Sequence, residues 1–213
     1  MKSFKQFLVE NQEVKCDIDG ICRIIKTYES AGNEEKILGV YKDSKGFPTI
    51  GHGHLIVKDS PNIIGEVITD PDRVQKILAG QDKMTSEEAD SLLRIDVEKR
   101  LPIVKRLAPD FDNYSPELQA ELASETFRGM TGKSPKALKL LNAEKFDDAA
   151  KEYLNAKEYR ESVKNKTGIA KRMENLTNAI KMEGQRRAKA RAASAQTTQG
   201  QMNSSTSQTA PSR

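Results

Sequence analysis

The sequence has little of several residue types, and each shortage excludes a class of structure. Its 213 residues contain no tryptophan, 5% aromatic residues, two cysteines and two histidines. Cys16 and Cys22 cannot form a disulfide-rich scaffold, and in a chain made in the cytosol we expect two reduced thiols. A zinc site on His52 and His54 would need further ligands, and the two cysteines make an unconvincing pair, so we predict neither a metal nor another cofactor. No apolar run approaches the length that crosses a bilayer, and no membrane partner is expected.

The charge is unevenly distributed along the chain. Residues 184–213 carry five Lys or Arg and no acidic residue, which leaves 30 basic and 31 acidic residues elsewhere. The formal net charge of +4 therefore belongs to the C-terminal segment, and the rest lacks the charge that steers a protein to an anionic surface. Because residues 184–213 are first Ala/Arg/Lys-rich and then Ser/Thr/Gln-rich, we predict a disordered basic and polar tail, with weak contact with DNA as the alternative function.

The most informative stretch covers residues 41–55. It predicts a strand, a tight turn at residues 44–46, and a second strand with alternating glycines, in which Thr49, Gly51, Gly53 and Leu55 share one face. Glycine packs poorly in a strand and often marks the close approach of a ligand. The turn brings Asp43 near Thr49, so a carboxylate and a hydroxyl border a flat surface on which a water molecule could be held against an extended polymer.

Two glutamates before this stretch are candidate proton donors. Residues 17–28 predict a helix with an apolar stripe, and Glu29 follows at the end of that stripe. Partial burial there would favour the neutral carboxyl, which can donate a proton near neutral pH. Glu34 follows a Gly-Asn pair and neighbours Glu35, a pattern typical of an exposed loop. We favour Glu29 and keep Glu34 as the alternative acid.

These residues resemble the phage lysozymes of the T-even type. In that family a glutamate ends the first helix, and Tyr-x-Asp then leads into a Thr-Ile-Gly-x-Gly-His strand. The corresponding residues here are Glu29, Tyr41-Lys42-Asp43 and Thr49-Ile50-Gly51-His52-Gly53-His54-Leu55. Several residue types at fixed offsets make a chance match improbable.

The resemblance implies an α+β, mostly helical, two-lobed lysozyme-like fold over residues 14–183. We expect an N-terminal lobe with a small antiparallel sheet at about 17–84, a linking helix at about 85–107 and a helical C-terminal lobe at about 108–183. A capping box, Thr85-Ser86-Glu87-Glu88, supports the start of the linking helix.

The resemblance also implies the chemistry. A glycosidic bond is cut when one carboxyl protonates the leaving oxygen and a second group directs water to the anomeric carbon. We expect Glu29 as the general acid, Asp43 and Thr49 as the groups that activate water, and inversion as the outcome. By the same resemblance His54 supports the acid, and Leu55 and Phe127 contact sugar. Ala137 and Glu152 stand where the family has other sugar-contacting residues, which leaves subsite preference open.

The expected activity is a peptidoglycan hydrolase that cuts between N-acetylmuramic acid and N-acetylglucosamine. The enzyme would be a phage-encoded monomer, made in the host cytoplasm and acting on the periplasmic cell wall. One alternative is a lytic transglycosylase, which needs the acid but no attacking water. The other is a non-catalytic protein packaged in the phage head on a lysozyme scaffold.

The N-terminal segment is the reason for the packaging alternative. Residues 1–10 resemble the capsid-targeting leaders of T-even internal head proteins, which are removed after a Leu- or Ile-x-Glu triplet, here Leu8-Val9-Glu10. We therefore predict that residues 1–13 are a leader or targeting segment. Phage head proteins or DNA would then be partners, and the virion head a second location.

Overall fold

The computed structural model describes residues 17–29, 34–43, 46–129 and 133–205, with only the backbone described from residue 196 onward. The predicted leader, Cys16 and residues 206–213 lie outside these ranges. Within them, no helix has both the length and the apolar character needed to cross a membrane.

The described chain is mostly helical with one small antiparallel sheet near its N-terminus, as predicted. Helices and strands follow one another in this order: α1 Ile18–Glu29, α2 Glu34–Ile37, β1 Tyr41–Lys42, β2 Pro48–Ile50, β3 His54–Leu55, α3 Ser60–Gly65, α4 Pro71–Leu78, α5 Ser86–Leu107, α6 Pro116–Phe127, α7 Pro135–Asn142, α8 Phe146–Leu154, α9 Lys157–Asn165 and α10 Gly168–Ser205. A 3₁₀ turn, Phe111–Asn113, joins α5 to α6.

The sheet differs from its prediction in one respect. The second strand is not continuous to Leu55, because residues 51–53 form a turn that separates β2 from β3. Gly51 and Gly53 have φ angles of +58° and +97°, which glycine adopts without the steric cost of a Cβ. As a result β2 pairs antiparallel with both β1 and β3, and Thr49 lies between Tyr41 and Leu55.

Two hydrophobic cores lie on either side of α5. The smaller core joins the sheet to α3 and α4 through Ile50, Ile64 and Ile77. The larger core contains the buried faces of α1, α6, α7, α8 and α10. Helix α5 begins at the predicted capping box and contributes to both cores. Helix α1 contributes Ile21 and Ile25 to the larger core, although the sequence places it in the N-terminal lobe.

The prediction of a disordered segment after residue 183 also differs from the structure, because α10 continues to Ser205. Arg187 pairs with Glu183 at 2.7 Å, with Glu144 at 2.5 Å and with Asp110 at 2.5 Å. Burial alone would raise the pKa of Glu183, but hydrogen bonds from Arg186, Arg187 and a backbone N–H hold it below its ordinary value. Alanine, lysine and arginine extend an existing helix easily, since no new nucleation is needed. Much of the basic segment therefore belongs to the folded domain.

Candidate active site

Glu29 is the last residue of α1 and lies against the turn between β2 and β3. A Cβ built on Gly53 would lie 3.7 Å from Cδ of Glu29. The Glu29 side chain is 27% exposed, and its Oε1 accepts a hydrogen bond of 2.8 Å from Nη1 of Arg172. This contact fixes the direction of the carboxylate at the edge of the glycine turn.

Asp43 and Thr49 lie together at the first hairpin, as the sequence predicts. Oδ1 of Asp43 accepts a hydrogen bond of 2.8 Å from the N–H of Phe47. Thr49 is buried in β2, and its hydroxyl donates to the carbonyl of Phe47 at 3.1 Å. The backbone of Phe47 therefore connects the candidate carboxylate to the candidate hydroxyl.

Tyr41 belongs to the same hairpin as Thr49 and contacts the glycine turn. Its ring is partly buried in β1, and its hydroxyl donates to the carbonyl of Gly51 at 3.2 Å. Burial raises the pKa of Tyr41 to about 12, and the negative charges of Glu29 and Asp43 both add to this effect. The Tyr41 hydroxyl therefore connects the hairpin that carries Asp43 and Thr49 to the glycine turn against which Glu29 lies.

The two predicted sugar-contacting residues flank this site. Phe127 ends α6, and its Cε1 lies 3.1 Å from the position of a Cβ on Gly53. The guanidinium of Arg100 lies 4.6 Å from the centre of the Phe127 ring. Leu55 pairs with Thr49 across the sheet and is 42% exposed. The ring therefore borders the same turn as Glu29, and Leu55 offers an apolar surface beside Thr49.

His54 supports the hairpin from its buried side. Its Nδ1 is hydrogen-bonded to Oδ2 of Asp96 at 2.8 Å, and its Nε2 to Oγ of Ser60 at 3.0 Å. Both ring nitrogens are thus engaged away from Glu29. His54 anchors β3 to α5 and α3, so any support for the acid is transmitted through the strand.

Comparison with known proteins assigns the domain to a family. The sequence model of the family described as "Phage lysozyme" matches residues 31–178, which is more than half of the chain. The chain belongs to the phage lysozyme family. The matched region includes Asp43, Thr49, Phe127 and Arg172, and it begins two residues after Glu29.

A curated relative of this phage lysozyme domain is "Peptidoglycan hydrolase gp36" of Enterobacteria phage SP6. The two sequences are 31% identical over 127 residues. That alignment takes in 57% of this chain and 13% of the relative, so the chain spans only a small part of the relative's length.

The alternative acid lies in a different environment. Glu34 is the first residue of α2 and is exposed. Its neighbour Glu35 faces Lys83 at 3.9 Å, with most of its side chain in solvent. The choice of Glu29 as the acid of this phage lysozyme domain stays a prediction, but Glu29 is the residue that contacts the glycine turn.

The second histidine has a structural partner. His52 is buried, and its Nε2 lies 2.8 Å from Oδ1 of Asp90. The other carboxylate oxygen of Asp90, Oδ2, accepts a hydrogen bond of 2.7 Å from Nζ of Lys26. Burial lowers the pKa of His52, although the hydrogen bond with Asp90 opposes this effect. Among the described residues, no three His, Cys, Asp or Glu side chains are grouped so that they could hold a metal ion.

Two residues of the site could not be assigned by sequence reasoning. Arg172 lies in α10, 143 positions after Glu29, and nothing in its local sequence separates it from other helical arginines. Tyr41 belongs to the sequence motif, but the motif alone indicates no role for it. Its position opposite Thr49 could have been deduced once the hairpin register was known.

Proposed function

We propose that this chain hydrolyses the glycosidic bond between N-acetylmuramic acid and N-acetylglucosamine in peptidoglycan. The observation that carries the proposal is that Glu29 lies against the glycine turn, which the Tyr41 hydroxyl links to the hairpin that carries Asp43 and Thr49. Membership of the phage lysozyme family and similarity to a phage peptidoglycan hydrolase support the same substrate.

The roles follow from the chemistry of the bond. Glu29 donates a proton to the leaving glycosidic oxygen, and Asp43 accepts a proton from the attacking water. Thr49 contributes a hydroxyl that helps to hold that water. Attack from the side opposite the leaving group inverts the anomeric carbon. Glycan rings lie along Leu55 and Phe127, whose apolar surfaces suit the flat faces of sugars.

Arg172 orients the acid in this mechanism. Its guanidinium is 12% exposed and bonds one oxygen of Glu29, which leaves the other oxygen to face the substrate. A fixed carboxyl contributes to catalysis because the proton is already aimed at the leaving oxygen when the substrate binds.

Matched glutamine variants test the proposal. We expect Glu29→Gln to lower the rate of cell-wall clearing by about 10²–10⁴-fold, since it removes the donated proton. Glu34→Gln is the control and should retain the wild-type rate. The reverse result would transfer the role of the acid to Glu34, and clearing by neither the wild type nor any variant at any pH would refute a peptidoglycan hydrolase.

Product analysis separates a hydrolase from a transglycosylase. Water attack leaves a reducing N-acetylmuramic acid, whereas a transglycosylase leaves the 1,6-anhydro sugar. We expect reducing ends in the released fragments and a strong loss of activity in Asp43→Asn. Anhydro products, with activity retained in that variant, would instead establish the transglycosylase.

The place of action is a separate proposal that depends on sequence resemblance. The leader-like residues 1–10 favour packaging into the phage head followed by cleavage after Glu10. Mass spectrometry of the protein from purified particles tests this idea. An N-terminus at Asn11 would support it, and absence of the protein from particles would refute it.

A further inference from the structure

Helix α6 is buried along most of its length and yet two of its glutamates, one turn apart, are among the buried residues. Glu121 is 8% exposed and Glu125 is 1% exposed. Glutamate is rarely buried without a partner, because removing its charge from water is costly. Glu125 has partners on α8 and at the end of its own helix: it pairs with Arg128 at 2.7 Å and accepts a hydrogen bond of 2.6 Å from Tyr153.

Glu121 is instead connected to the candidate acid. The hydroxyl of Tyr28 lies 3.0 Å from Oε1 and 3.3 Å from Oε2 of Glu121. The amide of Asn175 donates to the same hydroxyl at 2.5 Å. The Tyr28 hydroxyl therefore accepts from Asn175 and donates to Glu121, and the orientation of the ring is fixed at both sides.

The Tyr28 ring also contacts the arginine that bonds the candidate acid. The guanidinium of Arg172 lies 4.5 Å from the centre of the ring, within the range of a cation–π contact. The same guanidinium bonds Glu29, the residue next to Tyr28. A continuous set of contacts thus leads from Glu121 through Tyr28 and Arg172 to the carboxyl of Glu29.

We propose that Glu121 is a positioning residue for the acid: it fixes Tyr28 through a hydrogen bond and shares the positive charge of Arg172 with Glu29. This inference rests on the proposed role of Glu29 as general acid. It assigns to α6 a function beyond the placement of Phe127.

The proposed effect on Glu29 depends on the charge of Glu121. Burial raises the pKa of Glu121 to about 6; the Tyr28 hydrogen bond and the charge of Arg172 oppose this effect, and the charge of Glu125 adds to it. The groups that face Glu121 are therefore Tyr28 from α1, Arg172 from α10 and Glu125 from its own helix. When Glu121 is neutral, it no longer shares the guanidinium charge of Arg172, which then acts on Glu29 alone.

The pH dependence of Glu121→Gln tests the inference. Glutamine imitates the protonated glutamate at every pH, so we expect kcat about tenfold below wild type at pH 7.5, with KM unchanged. Toward pH 5 the wild type itself becomes protonated at Glu121, and the ratio of the two kcat values should fall to about two or less. Initial rates of fragment release from purified peptidoglycan give both parameters.

Glu125→Gln is the matched control, because it removes a buried charge from the same helix whose partners are Arg128 and Tyr153 rather than Tyr28 and Arg172. Because the charge of Glu125 raises the pKa of Glu121, the kcat of Glu125→Gln should equal that of wild type at pH 7.5 and should not fall below it toward pH 5. Tyr28→Phe keeps the ring and removes the linking hydroxyl, so it should reproduce the pH-dependent ratio even if Glu121→Gln folds poorly. Thermal melts at each pH confirm that the compared proteins are folded.

The outcomes separate this inference from the proposed function. The positioning role alone is overturned if the kcat of both Glu121→Gln and Tyr28→Phe keeps a constant ratio to wild type across pH. In that case the wild type is active and Glu29→Gln is inactive, so the proposed function stands. The same pH dependence in Glu125→Gln also overturns it, since a general effect of buried charge would then explain the data. A wild type that releases no fragments overturns the proposed function and the inference together.

Discussion

Replacement of Gly53 by alanine tests the geometry of the site most directly. Gly53 has φ +97°, a conformation that costs an L-residue about 1–2 kcal/mol. The added methyl would also lie 3.1 Å from Cε1 of Phe127, where carbon atoms prefer a separation of about 3.5–4.0 Å. The Phe127 ring must therefore move by about 0.5 Å. The same methyl makes ordinary contact with Glu29 at 3.7 Å and fills the space between the acid and the ring.

Gly80→Ala provides a control at another glycine with a positive φ angle. Gly80 has φ +73°, and a Cβ added there would meet no atom of the described residues within 4 Å. For a chain of this size each kcal/mol lowers Tm by about 2–4 °C, so both variants should melt a few degrees below wild type. Only Gly53→Ala should also lose cell-wall clearing activity, by about tenfold or more, because small displacements of catalytic groups are costly.

Two results would refute this reasoning. If Gly53→Ala cleared cell walls at the wild-type rate with the expected fall in Tm, the acid and the Phe127 ring would not both need the space at the turn. If Gly80→Ala lost as much activity as Gly53→Ala, the loss would come from general destabilisation. Measuring Tm and clearing rate on the same preparations distinguishes these cases.

Three further predictions follow from contacts around the site. Arg172→Lys should lower the rate of cell-wall clearing by about tenfold, because lysine cannot both stack on Tyr28 and present a planar guanidinium to Glu29. Binding of peptidoglycan at the wild-type level would show that only the acid is affected. Thr85→Ala removes the cap of α5 and should cost about 1 kcal/mol in urea unfolding without changing activity. The double variant Arg186→Gln, Arg187→Gln should lose about 3 kcal/mol at pH 7, because Glu183 is fully buried and its carboxylate would be left without these partners. Since the pKa of Glu183 is held below its ordinary value, that stabilisation is present above about pH 4.3 and disappears as the pH falls through the pKa of the folded state. The difference in the free energy of unfolding between the variant and the wild type should therefore become smaller in acid.

The candidate reacting groups could be named from the sequence because they lie on short elements close together in the chain, and their catalytic roles stay a prediction. Glu29, Asp43 and Thr49 fall within 21 residues, on one helix end and one hairpin. The error in this region concerned the glycines at residues 51 and 53. Glycines at alternate positions fit a strand and a tight turn equally well, and only the backbone angles distinguish the two.

The basic segment after residue 183 illustrates a limit of composition. Its low apolar content predicts disorder when the segment is considered alone. In the structure Arg187 contacts Asp110 and Glu144, which are 77 and 43 positions away, so its partners cannot be found from the segment itself. The segment also continues a helix that is already packed against the larger core, which removes the cost of starting one.

Helix α6 shows why the groups that adjust a site are harder to predict than those that react. Its glutamates at positions 121 and 125 have the spacing of an exposed helix face, and the sequence offers no reason to bury them. Burial becomes tolerable because Tyr28 from α1 donates to Glu121, and because Tyr153 from α8 and Arg128 both bond Glu125. A reacting group must have a particular chemistry, and that restricts its residue type; a positioning group needs only a suitable distance and charge, which many residue types provide. The pH-dependent comparison of Glu121→Gln with Glu125→Gln is therefore informative, because two identical residues one turn apart differ only in what their partners touch.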